Sequence, residues 1–156
     1  MKRISLLTMA LLLVLSMGLW AGGQGEEEEM AEGPEFVFRL AETHVQDYPT
    51  TQGDYYFAEL VNERTDGRIQ IEVFHSSQLG EERDVIEQVQ FGAIDFTRVS
   101  ISPLAAFSPN LNALQMPYLY RDADHMWQVL KGEIGDEFLA SLEPAGFVGL
   151  AWYDSG

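Results

Sequence analysis

The chain contains no cysteine, which removes disulfide staples, thiolate metal centres, thiol nucleophiles and a lipid-modified N-terminal cysteine from consideration. It is also poor in positive charge: nine Lys and Arg stand against 25 Asp and Glu, a formal net charge of -16. A nucleic-acid partner calls for a basic stripe to meet its phosphates, so that class is excluded, and any anion bound here must be met by a few local arginines. The phosphate-cradling Gly-x-x-x-x-Gly-Lys loop, the Gly-x-Ser-x-Gly nucleophile turn and the Gly-x-Gly-x-x-Gly fingerprint are all missing. Of the histidines, only His125 has a carboxylate three residues away on an expected helix, Asp122. That pair is too small for a metal site and reads as a helix cap beside a surface residue. Neither a metal nor a cofactor is expected.

What is present begins with a targeting pattern. Lys2 and Arg3 precede a largely apolar run over residues 4–15 that continues to Trp20 and ends in Ala21, Gly22 and Gly23. This order of charged, apolar and small residues is that of a secretory signal peptide, expected over 1–21, and the run falls short of the roughly 20 apolar residues that span a bilayer comfortably. Residues 22–34 include four consecutive glutamates and too little apolar surface to order themselves, and are expected to form a disordered acidic tether. Residues 35–156 are long enough for one domain with its own core. The product is expected to be soluble and periplasmic, with no membrane insertion after signal cleavage.

Along that domain the apolar period alternates. Residues 36–41 have strand composition. Tyr56, Phe57, Leu60 and Val61 then recur at helical spacing after Pro49, and Ile69, Ile71 and Val73 alternate with polar residues as a strand. A strand, helix and strand in so few residues imply a right-handed crossover and parallel pairing. The pattern repeats with a helix carrying Val85, Ile86 and Val89, a strand over 93–99 and a proline-punctuated connection. Two further helices follow, the first capped by Asp122, and then an apolar strand over 147–152. The fold class is α/β with a mostly parallel sheet flanked by helices.

Ligands of open α/β sheets bind beyond the carboxyl ends of the strands. Those ends carry Glu42-Thr43-His44, His75-Ser76-Ser77-Gln78, Arg98-Val99-Ser100 and Tyr153-Asp154-Ser155, a polar set suited to a small polyhydroxylated or carboxylated solute. By strand alternation Arg98 shares a face with Phe96, and an arginine on an apolar face needs a partner, either a ligand or a residue of the core. His44 reads as a turn residue or a ligand contact. Arg83 reads as solvated or ion-paired. Tyr118, Tyr120 and Trp127 read as core or as cleft lining.

The stretch from Phe74-His75-Ser76-Ser77-Gln78-Leu79-Gly80 through Gly92-Ala93-Ile94-Asp95 resembles the solute-binding proteins of tripartite ATP-independent periplasmic (TRAP) transporters. Thr65-Asp66-Gly67-Arg68-Ile69, Leu114-Gln115-Met116-Pro117-Tyr118 and Gly149-Leu150-Ala151-Trp152-Tyr153 follow the family's landmarks in order. His75 stands where the family commonly has proline, so no role is carried onto it. The resemblance implies one lobe of a periplasmic-binding-protein-like pair, the second lobe missing from a truncated chain. It also implies capture of a small organic anion outside the cytoplasmic membrane, delivery to the membrane permease subunits of a TRAP transporter, and uptake driven by an ion gradient. His44 with Asp47-Tyr48-Pro49, and Glu82-Arg83-Asp84 with Ile94-Asp95-Phe96-Thr97-Arg98, look most like the sugar-acid branch. Arg98, His44, Glu82, Ser100 and Asp154 are accordingly the expected ligand-binding residues, with no catalytic residue among them. Two alternatives stand beside this: a ligand-sensing module serving a receptor, and a secreted sugar-acid enzyme using His44 and Asp154 for proton transfer.

Overall fold

The computed structural model describes residues 33–154; the signal peptide expected over 1–21, most of the tether and Ser155 lie outside them. Strand β1 (Phe36–Glu42) enters on phenylalanines and leaves on buried Leu40, Ala41 and Glu42. Helix α1 (Pro49–Arg64) starts on a proline whose fixed φ suits the first helical position. Strand β2 (Ile69–Phe74) returns parallel to β1, with Phe36 opposite Ile69 and Ala41 opposite Phe74. Helix α2 (Glu82–Gln90) begins where the Asp84 carboxylate accepts the Glu81 backbone N–H at 3.2 Å, and it buries Val85 and Ile86. Strand β3 (Phe96–Arg98) pairs parallel with the other side of β1, placing Glu42 opposite Arg98. Among the described residues the sheet order is therefore β2-β1-β3, with the parallel pairing the α/β alternation implied.

The proline-rich connection is more structured than its composition suggested. It folds as a single turn α3 (Ile101–Leu104) and a 3-10 stretch (Pro109–Gln115) that buries Leu111. Helix α4 (Ala123–Leu130) is capped as expected, the Asp122 carboxylate accepting the His125 N–H at 2.8 Å, and α5 (Glu133–Ala140) follows at once. Gly135 is needed at their junction, because a Cβ there would lie 1.9 Å from the Leu130 carbonyl oxygen. A short 3-10 turn (Glu143–Ala145) leads into the last described segment. The main core joins Ile86, Ala105, Leu111, Leu142 and Phe147, and a second cluster packs Ala41, Val85 and Ile94 under the sheet edge.

Three expectations are corrected. The segment 147–152 is not a strand: it alternates in burial, with Phe147 packed on Phe107 while Val148 and Leu150 face outward, but it joins no ladder among the described residues. Composition favours extension there, yet a strand also needs a partner for its N–H and C=O groups. The third strand is short, because residues 93–95 are taken up by Gln88, whose carbonyl accepts the N–H groups of Ala93 and Ile94, and by Asp95, whose carboxylate accepts the Arg39 N–H. Finally, Tyr56 on α1 is exposed, and the residues that helix buries most deeply are polar: Thr50, Thr51 and Asp54.

Candidate functional site

Two of those residues, Thr50 and Asp54, approach Glu42 at the carboxyl end of the sheet, where the chain assembles a buried polar cluster. Its centre is Glu42, the last residue of β1 and 1% exposed. The Glu42 Oε1 accepts the His44 backbone N–H at 2.9 Å and faces the His44 Nδ1 at 2.8 Å; its Oε2 accepts the Thr50 hydroxyl at 3.2 Å and lies 3.4 Å from the Arg98 Nε. Burial alone would raise this carboxyl's pKa, but the His44 hydrogen bonds and the Arg98 charge outweigh it and lower it, so Glu42 is an anion.

Arg98 answers that anion. It is 8% exposed, opposite Glu42 in the β1–β3 register, with its Nη1 3.2 Å from the His44 Nδ1 and 3.8 Å from the Glu82 Oε1. The Glu42 carboxylate claims the proton on His44 Nδ1, so the Arg98 Nη1 makes a close contact there rather than donating a hydrogen bond. The imidazole is stacked on Tyr48, centroids 4.2 Å apart, which fixes its plane. Glu82, at the start of α2, accepts both the backbone N–H and the hydroxyl of Ser100 at 2.7 Å. The loop after β2 stitches this edge together: Ser76 N–H donates to the His44 carbonyl and Ser77 N–H to the Glu42 carbonyl, and both serines adopt positive φ to do so. Glu82 also lines an open depression of about 520 Å³, together with Ser102 and Phe107.

Four of the five expected ligand residues thus meet in one place: Arg98, His44, Glu82 and Ser100. Arg98 has a partner in the core, Glu42, while its Nη1 lies 3.8 Å from the Glu82 Oε1. Asp154 lies exposed on the last described segment, and His44 is partnered by Glu42. The exposed Arg83 pairs with Glu87 at 3.6 Å, as an ordinary surface helix pair. Tyr118 is fully exposed, Trp127 carries the Lys131 ammonium 4.9 Å above its ring, and Tyr120 sits edge-on to His125, so none of the three belongs to the cluster.

Sequence reasoning missed Asp54 and undervalued Glu42 and Tyr153. Asp54 is 1% exposed on the third strip of a Thr50, Thr51, Asp54 face. Burial pushes its carboxyl up to about 7, the Tyr153 hydrogen bond opposing and the Glu42 charge adding to the rise. Tyr153 is itself raised, by burial and then by the Asp54 charge. Its ring lies on the α1 backbone at Gly53, where a Cβ would meet the Tyr153 Cε1 at 2.9 Å. The available signal was a polar, i and i+3 stripe directly after Pro49, where an amphipathic helix would have put apolar side chains.

Residues 40–156 match the model of bacterial extracellular solute-binding protein family 7. A TRAP periplasmic solute-binding protein of Bradyrhizobium sp. BTAi1, solved with galacturonate, is 46% identical and superposes with a TM-score of 0.74 over 77% of this chain and 40% of its own. One from Sulfurospirillum deleyianum, solved with succinate, is 28% identical with a TM-score of 0.75 over 79% of this chain and 40% of its own. The 2,3-diketo-L-gulonate-binding periplasmic protein YiaO of Escherichia coli is 36% identical over 115 residues, 70% of this chain and 35% of its own. The chain thus spans between a third and two fifths of the length of these relatives. With three quarters of its length inside the family match and the parallel lobe its solved relatives share, the chain belongs to the family 7 bacterial extracellular solute-binding proteins.

Proposed function

We propose that this chain forms one wall of a periplasmic binder that captures a sugar acid, hexuronates foremost, and presents it to a TRAP-type permease for uptake driven by an ion gradient. The observation that carries this is the composition of the cluster at the sheet edge. It offers one guanidinium, from Arg98, among several acceptors and hydroxyls, from Glu82, Ser100 and His44. A solute with one carboxylate and many hydroxyls fits that ratio: Arg98 suits a carboxylate or hydroxyl oxygen, and the Glu82 side-chain oxygens accept from sugar hydroxyls. A dicarboxylate would bring two anionic groups to an edge that already holds Glu42 and Glu82. The higher identity to the galacturonate-bound relative, 46% against 28% for the succinate-bound one, supports the same choice.

The expected contacts are Arg98, His44, Glu82 and Ser100 on this lobe, with Asp154 at its rim. The targeting pattern of residues 1–21 supports export. Calorimetric titration of the full-length exported protein with D-galacturonate, D-glucuronate and succinate tests the reading: a uronate is expected to bind at micromolar Kd or tighter and to outcompete succinate. Preference for succinate, or no uronate binding, overturns it.

A further inference from the structure

His44 is held by one edge of its ring. Its Nδ1 faces the Glu42 Oε1 at 2.8 Å, the same oxygen accepts its backbone N–H at 2.9 Å, and the imidazole lies on Tyr48 with the two ring planes 13° apart. Glu42 is 1% exposed, whereas 32% of the His44 side chain remains open. Both polar contacts of the ring among the described residues, to Glu42 and to Arg98, use Nδ1. The open part therefore lies on the ring atoms away from that carboxyl, Nε2 among them. Which nitrogen bears the proton follows from what stands against Nδ1. The Glu42 carboxylate only accepts, and the Arg98 Nη1, 3.2 Å away, only donates. A bare Nδ1 would set its lone pair against the carboxylate oxygen in the shorter of the two contacts; a protonated Nδ1 donates to it. In a neutral imidazole a proton on one nitrogen leaves the lone pair on the other.

We propose that the buried Glu42 fixes the tautomer of His44 so that Nε2 is presented as a hydrogen-bond acceptor to a hydroxyl of the solute. The proposal rests on the reading of this sheet edge as a sugar-acid wall. An unprotonated ring nitrogen attracts an O–H donor and sets its lone pair against a carboxylate oxygen, so His44 favours a hydroxyl and disfavours a carboxylate at that spot. The Glu82 Oε1, which accepts the Ser100 hydroxyl at 2.7 Å, is an acceptor at the same edge. The two together give the wall a bias toward hydroxyl donors. Glu42 acts only through the ring it holds, and so is a positioning residue; the Tyr48 stack keeps the ring in the plane that the Glu42 contact requires.

The test is long-range 1H–15N NMR of the full-length exported protein at pH 8, where an ordinary imidazole is neutral, before and after saturation with D-galacturonate. The His44 ring of the free protein is expected to show a pyrrole-type Nδ1 and a pyridine-type Nε2. On saturation the Nε2 resonance should move upfield, the mark of a lone pair accepting a hydrogen bond, while Nδ1 stays pyrrole-type. Glu42→Gln removes the anion that claims the Nδ1 proton and lets the Arg98 Nη1 donate to a bare Nδ1. It should populate the opposite tautomer and weaken galacturonate binding about tenfold, the scale of one hydrogen bond. A proton on Nε2 in the free protein, or an Nε2 resonance unmoved at saturation, overturns the proposal, and both are read on the unmodified protein even if the variant does not fold. No galacturonate binding refutes the sugar-acid reading and the hydroxyl contact with it, while the free-protein spectrum still decides the tautomer.

Discussion

Replacing Arg98 by alanine tests the cluster most directly, because the structure gives the arginine one duty and the proposed function gives it a second. Inside the lobe it neutralises Glu42, which is 1% exposed and held as an anion. Removing one partner of such a buried pair strands the other and costs about 3–5 kcal/mol. Toward the crevice, deleting a charge-assisted hydrogen bond from a closed cleft costs about 2–5 kcal/mol of binding, which weakens affinity roughly 30-fold or more. Arg98→Ala should therefore lower both the melting temperature and the uronate affinity of the full-length protein. The double variant Glu42→Gln with Arg98→Ala separates the two duties. With no stranded anion it should recover much of the stability and little of the affinity, since the solute still lacks the fork of donors proposed for it. Arg98→Lys should restore stability better than affinity, as a point charge can neutralise Glu42 without reproducing that fork. Denaturation and calorimetry on the three variants read both quantities. A stability loss below about 0.5 kcal/mol for Arg98→Ala, the level of an ordinary surface substitution, would refute the buried-pair argument.

Gly53→Ala puts a methyl group 2.9 Å from the Tyr153 ring and should destabilise by about 1–3 kcal/mol, seen in thermal melting; an unchanged melting temperature would show that Tyr153 is not seated there. Asp54 should make stability fall as pH rises. Its carboxyl is protonated in the fold up to about pH 7 but only to about 3.8 when unfolded, so its contribution is full below 3.8 and lost by about 7, up to about 4 kcal/mol in all. Urea unfolding from pH 4 to pH 7.5 should show that slope, and Asp54→Asn should flatten it. Asp122→Ala removes the acceptor for the His125 N–H and should cost about 1 kcal/mol without altering solute affinity. N-terminal sequencing of exported protein should find cleavage between Ala21 and Gly25; a start at Met1 or before Ser16 would contradict the signal peptide.

The parallel lobe was legible because its signals are local. Phe36, Ile69 and Phe96 begin strands whose apolar patterns a short window reveals, and Asp122 announces its helix through a side chain three residues from its N–H partner. Arg98, His44 and Ser100 were reachable by the rule that strand ends carry ligands and Glu82 only through the family resemblance, and the fold does gather the four. What escaped was the inward, polar face of α1. Asp54 reads as an ordinary solvated acid in sequence, and only the seating of that helix against Glu42 buries it. The segment over 147–152 failed for the complementary reason: its residues favour extension, but pairing depends on another strand, which no local pattern supplies.

Glu42 is buried behind Arg98, and on the proposed function this bears on how such a binder diversifies. A substitution that a solute never touches, at Glu42 or Thr50, would tilt Arg98 by changing what holds its Nε. With Arg98 facing the solute as proposed, lineages can shift ligand preference through a hidden position while every side chain that meets the solute stays the same. Comparing only the residues that face the solute would read two such descendants as equivalent, and swapping visible positions between them would fail to transfer specificity until the residue under the arginine was exchanged as well.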